Sequence, residues 1–84
     1  MIKIGMLWYD DDKKRTLEEK VSRAADYYRD KFGRAPTMCL VNPQMINGGP
    51  KRVAKVELST AHNVLLHHFW VGIAENGNGG STEK

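Results

Sequence analysis

The sequence has 84 residues, with thirteen Lys and Arg against ten Asp and Glu, a formal net charge of +3 and a pI near 9.2. This length leaves room for one domain, and the mixing of basic with acidic neighbours argues against the concentrated basic stripe of a typical nucleic-acid binder. A lone cysteine, Cys39, excludes an internal disulfide. Because no apolar run approaches the ~20 residues that span a bilayer and no signal-peptide pattern is present, we expect a small bacterial-type protein that is cytoplasmic and has no membrane partner.

The first predicted element is a strand over residues 2–9. Its apolar residues alternate at first and then occupy both faces from Met6 onward. A strand that is apolar on both faces is typical of a position covered on both sides.

The second predicted element is a helix from Thr16 to Phe32. Thr16 followed by Glu19 matches a capping box, in which the threonine hydroxyl and the glutamate carboxylate satisfy backbone amides of the first turn. Gly33 supplies the left-handed residue that ends a helix. The apolar residues between these signals recur at helical spacing and form one stripe: Leu17, Val21, Ala24, Ala25, Tyr28 and Phe32.

Three more strands and two connections account for the rest of the predicted domain. The strands are expected at 37–42, 52–58 and 64–74, with a loop at Pro43–Pro50 and a turn at 59–63. The predicted fold is therefore α+β, with the order β-α-β-β-β and a four-stranded mixed sheet that carries one helix on one face. This domain covers residues 1–75. Residues 76–84 contain no apolar side chain and are predicted to form a disordered Gly/Asn-rich tail.

One helix covers only one face of a sheet, yet the last predicted strand is apolar on both. An uncovered apolar face usually marks an interface, so we expect self-association through that face, most simply as a two-fold homodimer, although a different protein partner is also compatible. The alternative is that the Pro43–Pro50 loop, with Met45 and Ile46, folds over the face. The residues predicted to form the interface are Trp8, Leu65, His67, Phe69, Val71 and Ile73.

A second hypothesis is a divalent-metal-dependent hydrolase or nuclease. Asp10 and Asp12 follow the first strand, and carboxylates at such a position can hold a hard cation. His67 or His68 would complete a mixed Asp/His site if the first and last strands are neighbours. The alternative is structural: the acidic run lies before a helix, is followed by basic residues, and lacks a spaced second motif. The sequence implies no cofactor.

A third hypothesis is a nucleic-acid-binding accessory protein. Lys51, Arg52 and Lys55 form the basic group outside the helix region, and aromatic residues on a sheet face can stack on bases. Cys39 lies within an apolar strand, which indicates a buried and inert thiol rather than a nucleophile. Without a convergent catalytic set, the sequence favours a non-enzymatic dimeric interaction module over both other readings.

Overall fold

A computed structural model describes residues 2–46 and 52–74 and confirms the α+β class. The predicted tail at 76–84 lies outside these residues. Helix α1 packs on one face of a mixed sheet of five strands rather than the four predicted. The elements are β1 (Ile2–Tyr9), α1 (Leu17–Phe32), β2 (Met38–Val41), a 3₁₀ turn (Pro43–Met45), β3 (Arg52–Val53), β4 (Val56–Thr60) and β5 (His68–Ala74).

The strand order across the sheet is β1-β5-β2-β4-β3. β5 lies between β1 and β2 and runs antiparallel to both, so the two strands that flank the helix in sequence are parallel but not adjacent. β2 and β4 form the parallel pair, and β3 adds an antiparallel edge beside β4. The last described strand in sequence is therefore an interior strand of the sheet, second from the β1 edge.

The helix begins and ends where its sequence signals predict. The Thr16 backbone amide donates to Glu19 Oε1 at 2.8 Å, and Thr16 Oγ1 accepts from the Glu19 amide at 3.1 Å, which completes the capping box. At the other end Gly33 takes a left-handed φ of 74° and its amide donates to the Arg29 carbonyl at 2.8 Å. Both ends of the helix are thus satisfied locally.

The predicted third strand is in fact a hairpin of two short strands. Val53 pairs with Val56 across a two-residue turn, in which Ala54 and Lys55 have φ values of 51° and 65°. Two positive φ values are the mark of a type I′ turn, which normally uses Asn or Gly. Because neither residue type is present here, the sequence contains no turn signal within the predicted strand at 52–58, and Ala54 is exposed in the turn.

The predicted fourth strand also begins later than expected. Residues 61–67 form a connection in which the Val64 amide donates to the Ala61 carbonyl and the His68 amide to the Leu65 carbonyl. His67 takes a left-handed φ of 67°, which ends this connection before β5. The Asn42 side chain donates to the Val64 carbonyl at 2.9 Å and holds the connection against the sheet.

The core lies between α1 and one face of the sheet. The helix contributes the middle of its predicted stripe, and Ala24 and Ala25 let the backbone approach the strands closely. The largest fully buried side chains are Tyr28, Phe69, Leu58, Val21, Val41, Val56, Val71 and Cys39. One correction concerns Lys20, which the helical pattern places on the solvent side but which is only 8% exposed.

Candidate interaction surface

Cross-strand register decides which side chains share each face of the sheet. Val71 lies opposite both Met6 and Cys39, and these three residues belong to the core under α1. Trp70, one residue away, lies opposite Leu7 and Leu40 and therefore points to the other side. We call this second side the open face; it carries Leu7, Tyr9, Met38, Leu40, His68 and Trp70.

An apolar groove of about 690 Å³ crosses the open face. Its floor comes from β1, β2 and β5, and one wall comes from the connection that precedes β5. Leu7 on the floor is 59% exposed and Leu65 on the wall is 68% exposed, so large apolar side chains meet water here. The lining residues are Leu7, Leu40, Ala61, Asn63, Val64, Leu65, His68 and Trp70.

The predicted interface residues are divided between the two faces. Phe69 and Val71 are 0% and 1% exposed in the core, and Ile73 packs against the same cluster, so the structure places them under the helix rather than on the open face. The sequence-based prediction assigned the two faces of β5 the wrong way round, because both sets of alternate residues in this strand contain large apolar side chains. Self-association itself stays a prediction, and the surface expected to mediate it is now the open face.

The other three predicted interface residues lie in three different places. Trp8 lies on the helix side, where its ring centroid is 5.1 Å from that of Tyr27. Of the predicted set, Leu65 lines the groove, whereas His67 is exposed and directs its amide to Met45 Sδ at 3.1 Å. Met45 and Ile46 pack with the core cluster, so the described part of the Pro43–Pro50 loop does not cover the open face; residues 47–50 lie outside the described ranges.

The predicted acidic run is held by hydrogen bonds and one arginine. Asp10 is 8% exposed and its Oδ1 accepts from the Asp12 amide at 3.0 Å. Arg15 Nη1 lies 2.8 Å from Asp12 Oδ2 and 3.6 Å from Asp10 Oδ1. Asp12 Oδ1 also accepts from the Lys14 amide at 2.8 Å. These contacts favour the structural interpretation of the run, since the arginine supplies the positive charge that a metal ion would bring.

The histidines of the metal hypothesis lie near this run without joining it. The Asp10 amide donates to the His67 carbonyl at 3.0 Å, so the ends of β1 and β5 do meet as the hypothesis requires. His68 instead packs against Tyr9 on the open face, with ring centroids 4.9 Å apart, and its Nδ1 lies 3.0 Å from the Leu66 carbonyl oxygen. Within residues 2–46 and 52–74 no three His, Cys, Asp or Glu side chains form a group able to hold a metal ion.

The predicted nucleic-acid residues lie far from the exposed aromatics. Arg52 and Lys55 are exposed on β3 and its turn, and Lys51 lies outside the described ranges. β3 is three strands away from β5 and four from β1, which at about 4.8 Å per strand separates these basic residues from Trp70 and Tyr9 by roughly 14–19 Å. The described basic residues therefore do not frame a stacking platform.

Cys39 is the buried thiol that its apolar surroundings predict. It is 0% exposed, and burial raises its pKa to about 12. Because the thiolate is the reactive form, this environment suppresses nucleophilic chemistry.

Two features of the surface were not apparent from the sequence. One is the role of Leu7, Leu40 and Asn63 in the groove, which depends on the position of β5 between β1 and β2; cross-strand parity is the signal that could have found it. The other is a smaller hollow of about 250 Å³ beside α1, which Trp8 lines with helix residues including Tyr27 and Asp30. Trp8 Nε1 is buried and has no acceptor among the described residues.

Comparison with known proteins adds no relative: no family model, curated protein or solved structure matches this chain. The part of the chain that the structure describes contains no helix with the length and apolar character needed to cross a bilayer.

Proposed function

We propose that this protein is a non-enzymatic interaction module that associates with a second copy of itself through the open face. The observation that carries the proposal is the groove on that face, where Leu7 and Leu65 are more than half exposed beside Trp70 and Leu40. Exposed apolar side chains that are grouped in this way are typical of association sites in soluble proteins.

The physical argument is that α1 covers only one of the two faces of the sheet. Helix and strands bury one apolar face, with eight side chains of the strands and helix at 1% exposure or less: Val21, Ala24, Cys39, Val41, Val56, Leu58, Phe69 and Val71. The opposite face carries the apolar side chains of Leu7, Leu40 and Trp70, and among the described residues the 61–65 connection is the segment that lies beside them. Removing this surface from water is favourable by about 25 cal/mol per Å², and a second open face supplies a matching apolar surface.

The chemistry of the polar groups supports a binding role over the hydrolase alternative. The carboxylates of Asp10 and Asp12 are occupied by Arg15 and by backbone amides, and the thiol of Cys39 is buried. On the open face His68 and Asn63 are the polar side chains that line the groove, and they can orient a partner through hydrogen bonds. A cytoplasmic location is part of the same proposal, because a reducing compartment keeps a lone cysteine unpaired.

The test is the association state across concentration, measured by analytical ultracentrifugation on the full chain. Leu65→Glu places a charge on the groove wall at a site too exposed to affect the core, and Tyr27→Glu is the matched control because Tyr27 is 52% exposed on the helix side. We expect the wild type and Tyr27→Glu to associate through the open face and Leu65→Glu to weaken this contact about tenfold or more. A wild type that stays monomeric to ~100 μM, equivalent to an association weaker than about −5.5 kcal/mol, would refute the proposal.

A further inference from the structure

The free edge of β1 is a second, independent surface. Among the strands of residues 2–46 and 52–74, β1 is first in the sheet order and pairs with β5 alone. Its eight residues make it far longer than β3, the two-residue strand at the opposite edge. An edge strand presents unpaired N–H and C=O groups that another strand can pair with.

The register with β5 determines which backbone groups of β1 point to that edge. The Asp10 amide donates to the His67 carbonyl at 3.0 Å, so this pair is a hydrogen-bonded one. Hydrogen-bonded and non-hydrogen-bonded pairs alternate along an antiparallel ladder, so Met6 and Trp8 direct their N–H and C=O groups toward β5. Gly5, Leu7 and Tyr9 consequently direct theirs outward.

The stretch Gly5–Tyr9 lacks the devices that usually protect an edge. Natural edge strands are interrupted by proline, charged residues or bulges. In β1 the register shifts between Ile2 and Ile4, which disturbs the strand near its start. From Gly5 to Tyr9 the sequence is Gly-Met-Leu-Trp-Tyr, without a charge or a proline and without a register shift.

We propose that a second copy of the chain pairs with this edge, strand β1 against strand β1, antiparallel about a two-fold axis at Leu7. The outward residues are spaced two apart and centred on Leu7, so this one register pairs all three of them on both copies. Leu7 then lies opposite the partner's Leu7, and Gly5 lies opposite the partner's Tyr9. A shift by two residues in either direction leaves at least one outward residue of each strand without a partner.

The side chains fit this register. Each of the three symmetric pairs is a hydrogen-bonded pair that exchanges two backbone bonds, which makes six bonds in all. The partner's Tyr9 lies across from Gly5, where an aromatic ring covers the space that glycine leaves empty. Because Leu7 and Tyr9 are 59% and 56% exposed, pairing also removes apolar surface that the isolated chain presents to water.

The occupant is a second copy rather than an unrelated strand because the edge is complementary to itself under the two-fold axis. Pairing at β1 uses backbone groups at the end of the sheet, whereas the proposed function uses side chains on its open face. It joins the two open faces side by side into one surface of twice the width, and it does not depend on the face-to-face contact.

Single cysteines test the register. At a hydrogen-bonded antiparallel pair the Cα atoms are about 5.5 Å apart, within disulfide reach, whereas sheets stacked face to face are ~10 Å apart and beyond it. We expect Leu7→Cys to form a disulfide-linked dimer under mild oxidation. Tyr9→Cys alone should not, since its copies are roughly 14 Å apart in this register, but mixed with Gly5→Cys it should cross-link. The buried Cys39 provides a thiol background common to all variants.

Amide hydrogen exchange on the unmodified protein gives a second measurement that needs no variant. From well below the dissociation constant to a total concentration about ten times above it, the monomer fraction falls to about one-fifth. Protection at Gly5, Leu7 and Tyr9 should therefore rise about fivefold by mass action, while Met6 and Trp8 are protected at every concentration. Free exchange at Leu7 and Tyr9 in a sample that sedimentation shows to be dimeric would overturn edge pairing. If Leu65→Glu also abolished that dimer, the open-face contact would be supported and the β1 edge contact rejected. If the protection of Leu7 and Tyr9 instead persisted in Leu65→Glu, the β1 edge contact would be supported and shown to be independent of the open face.

Discussion

Two leucine-to-alanine substitutions on opposite faces of the sheet measure which face is the core. Leu58 on β4 is 0% exposed beneath α1, and Leu7 on β1 is 59% exposed on the open face. The chemical change is identical, so the difference in unfolding free energy reports burial. Shortening a fully buried leucine removes its transfer free energy and leaves a cavity, which costs about 2–5 kcal/mol.

The expected effect at Leu7 follows from its exposure. About two-fifths of its surface is out of water, and full burial of a leucine is worth about 1.5–3 kcal/mol, so Leu7→Ala should cost roughly 0.5–1 kcal/mol without a cavity term. For a domain of this size each kcal/mol corresponds to about 4–8 °C in Tm, so Leu58→Ala should lower Tm by roughly 10–30 °C and Leu7→Ala by less than about 8 °C.

Urea and thermal unfolding followed by circular dichroism are the appropriate assays. They should be run at the lowest practical protein concentration, because association through Leu7 would add a concentration-dependent contribution to stability. Equal losses for the two variants, or a larger loss for Leu7→Ala, would refute the assignment of the open face and the proposals that depend on it.

Three further predictions concern local features of the fold. Thr16→Ala should lower the unfolding free energy by about 1 kcal/mol in urea titrations, because the Glu19 amide loses its acceptor, while Thr16→Ser should retain most of it; equal losses would contradict the cap. Gly33→Ala should cost about 1–2 kcal/mol in the same assay, from left-handed strain alone since no atom lies within 4 Å of an added Cβ, and Gly33→Asn should cost less. Cys39, with its pKa raised to about 12, should resist thiol reagents until the chain unfolds. Because the unfolded thiol loses its proton near pH 8.5, stability should fall as pH rises above that value toward 12, and Cys39→Ala should remove this part of the slope.

Helix α1 could be predicted almost to the residue because its signals are local. The reciprocal bonds of Thr16 and Glu19 and the left-handed φ of Gly33 depend only on neighbours within one or two turns. Residue types with such specific backbone chemistry can be read without knowledge of the fold. The strand β1 was predictable for a related reason, since its length and apolar content leave no competing element.

The faces of β5 could not be predicted because the strand has no usable period. His68 and Trp70 alternate with Phe69 and Val71, and both pairs contain a large aromatic or apolar residue. Which pair meets the helix depends on where β5 enters the sheet, and that is a tertiary property. The connection before β5 was predicted as part of the strand, because Val64 and Leu65 have the apolar character of strand residues. In the structure these two residues form the wall of the groove.

The β3–β4 hairpin was missed because its turn residues are unusual. Ala54 and Lys55 adopt positive φ without the side-chain chemistry that favours it, so only the pairing of the flanking strands holds them there. The candidate metal site is a different case. The predicted approach of β1 and β5 occurs, but Arg15, a counter-charge close by in the sequence, contacts the carboxylates of Asp10 and Asp12.

The interior position of β5 also has a consequence for how the chain folds. β1 and β2 belong to the same sheet only through β5, which lies between them, and β5 is synthesised after every other described strand. Before β5 docks, the helix and the earlier strands therefore lack a complete sheet. The pairing of β1 with β5 requires contacts between residues more than sixty positions apart, such as Met6 with Val71. Such distant pairings slow folding. Until β5 docks, both edges of β1 lack a paired strand, and unpaired strand edges make a folding intermediate prone to association. The speed with which β5 docks therefore determines how long this small protein is exposed to aggregation.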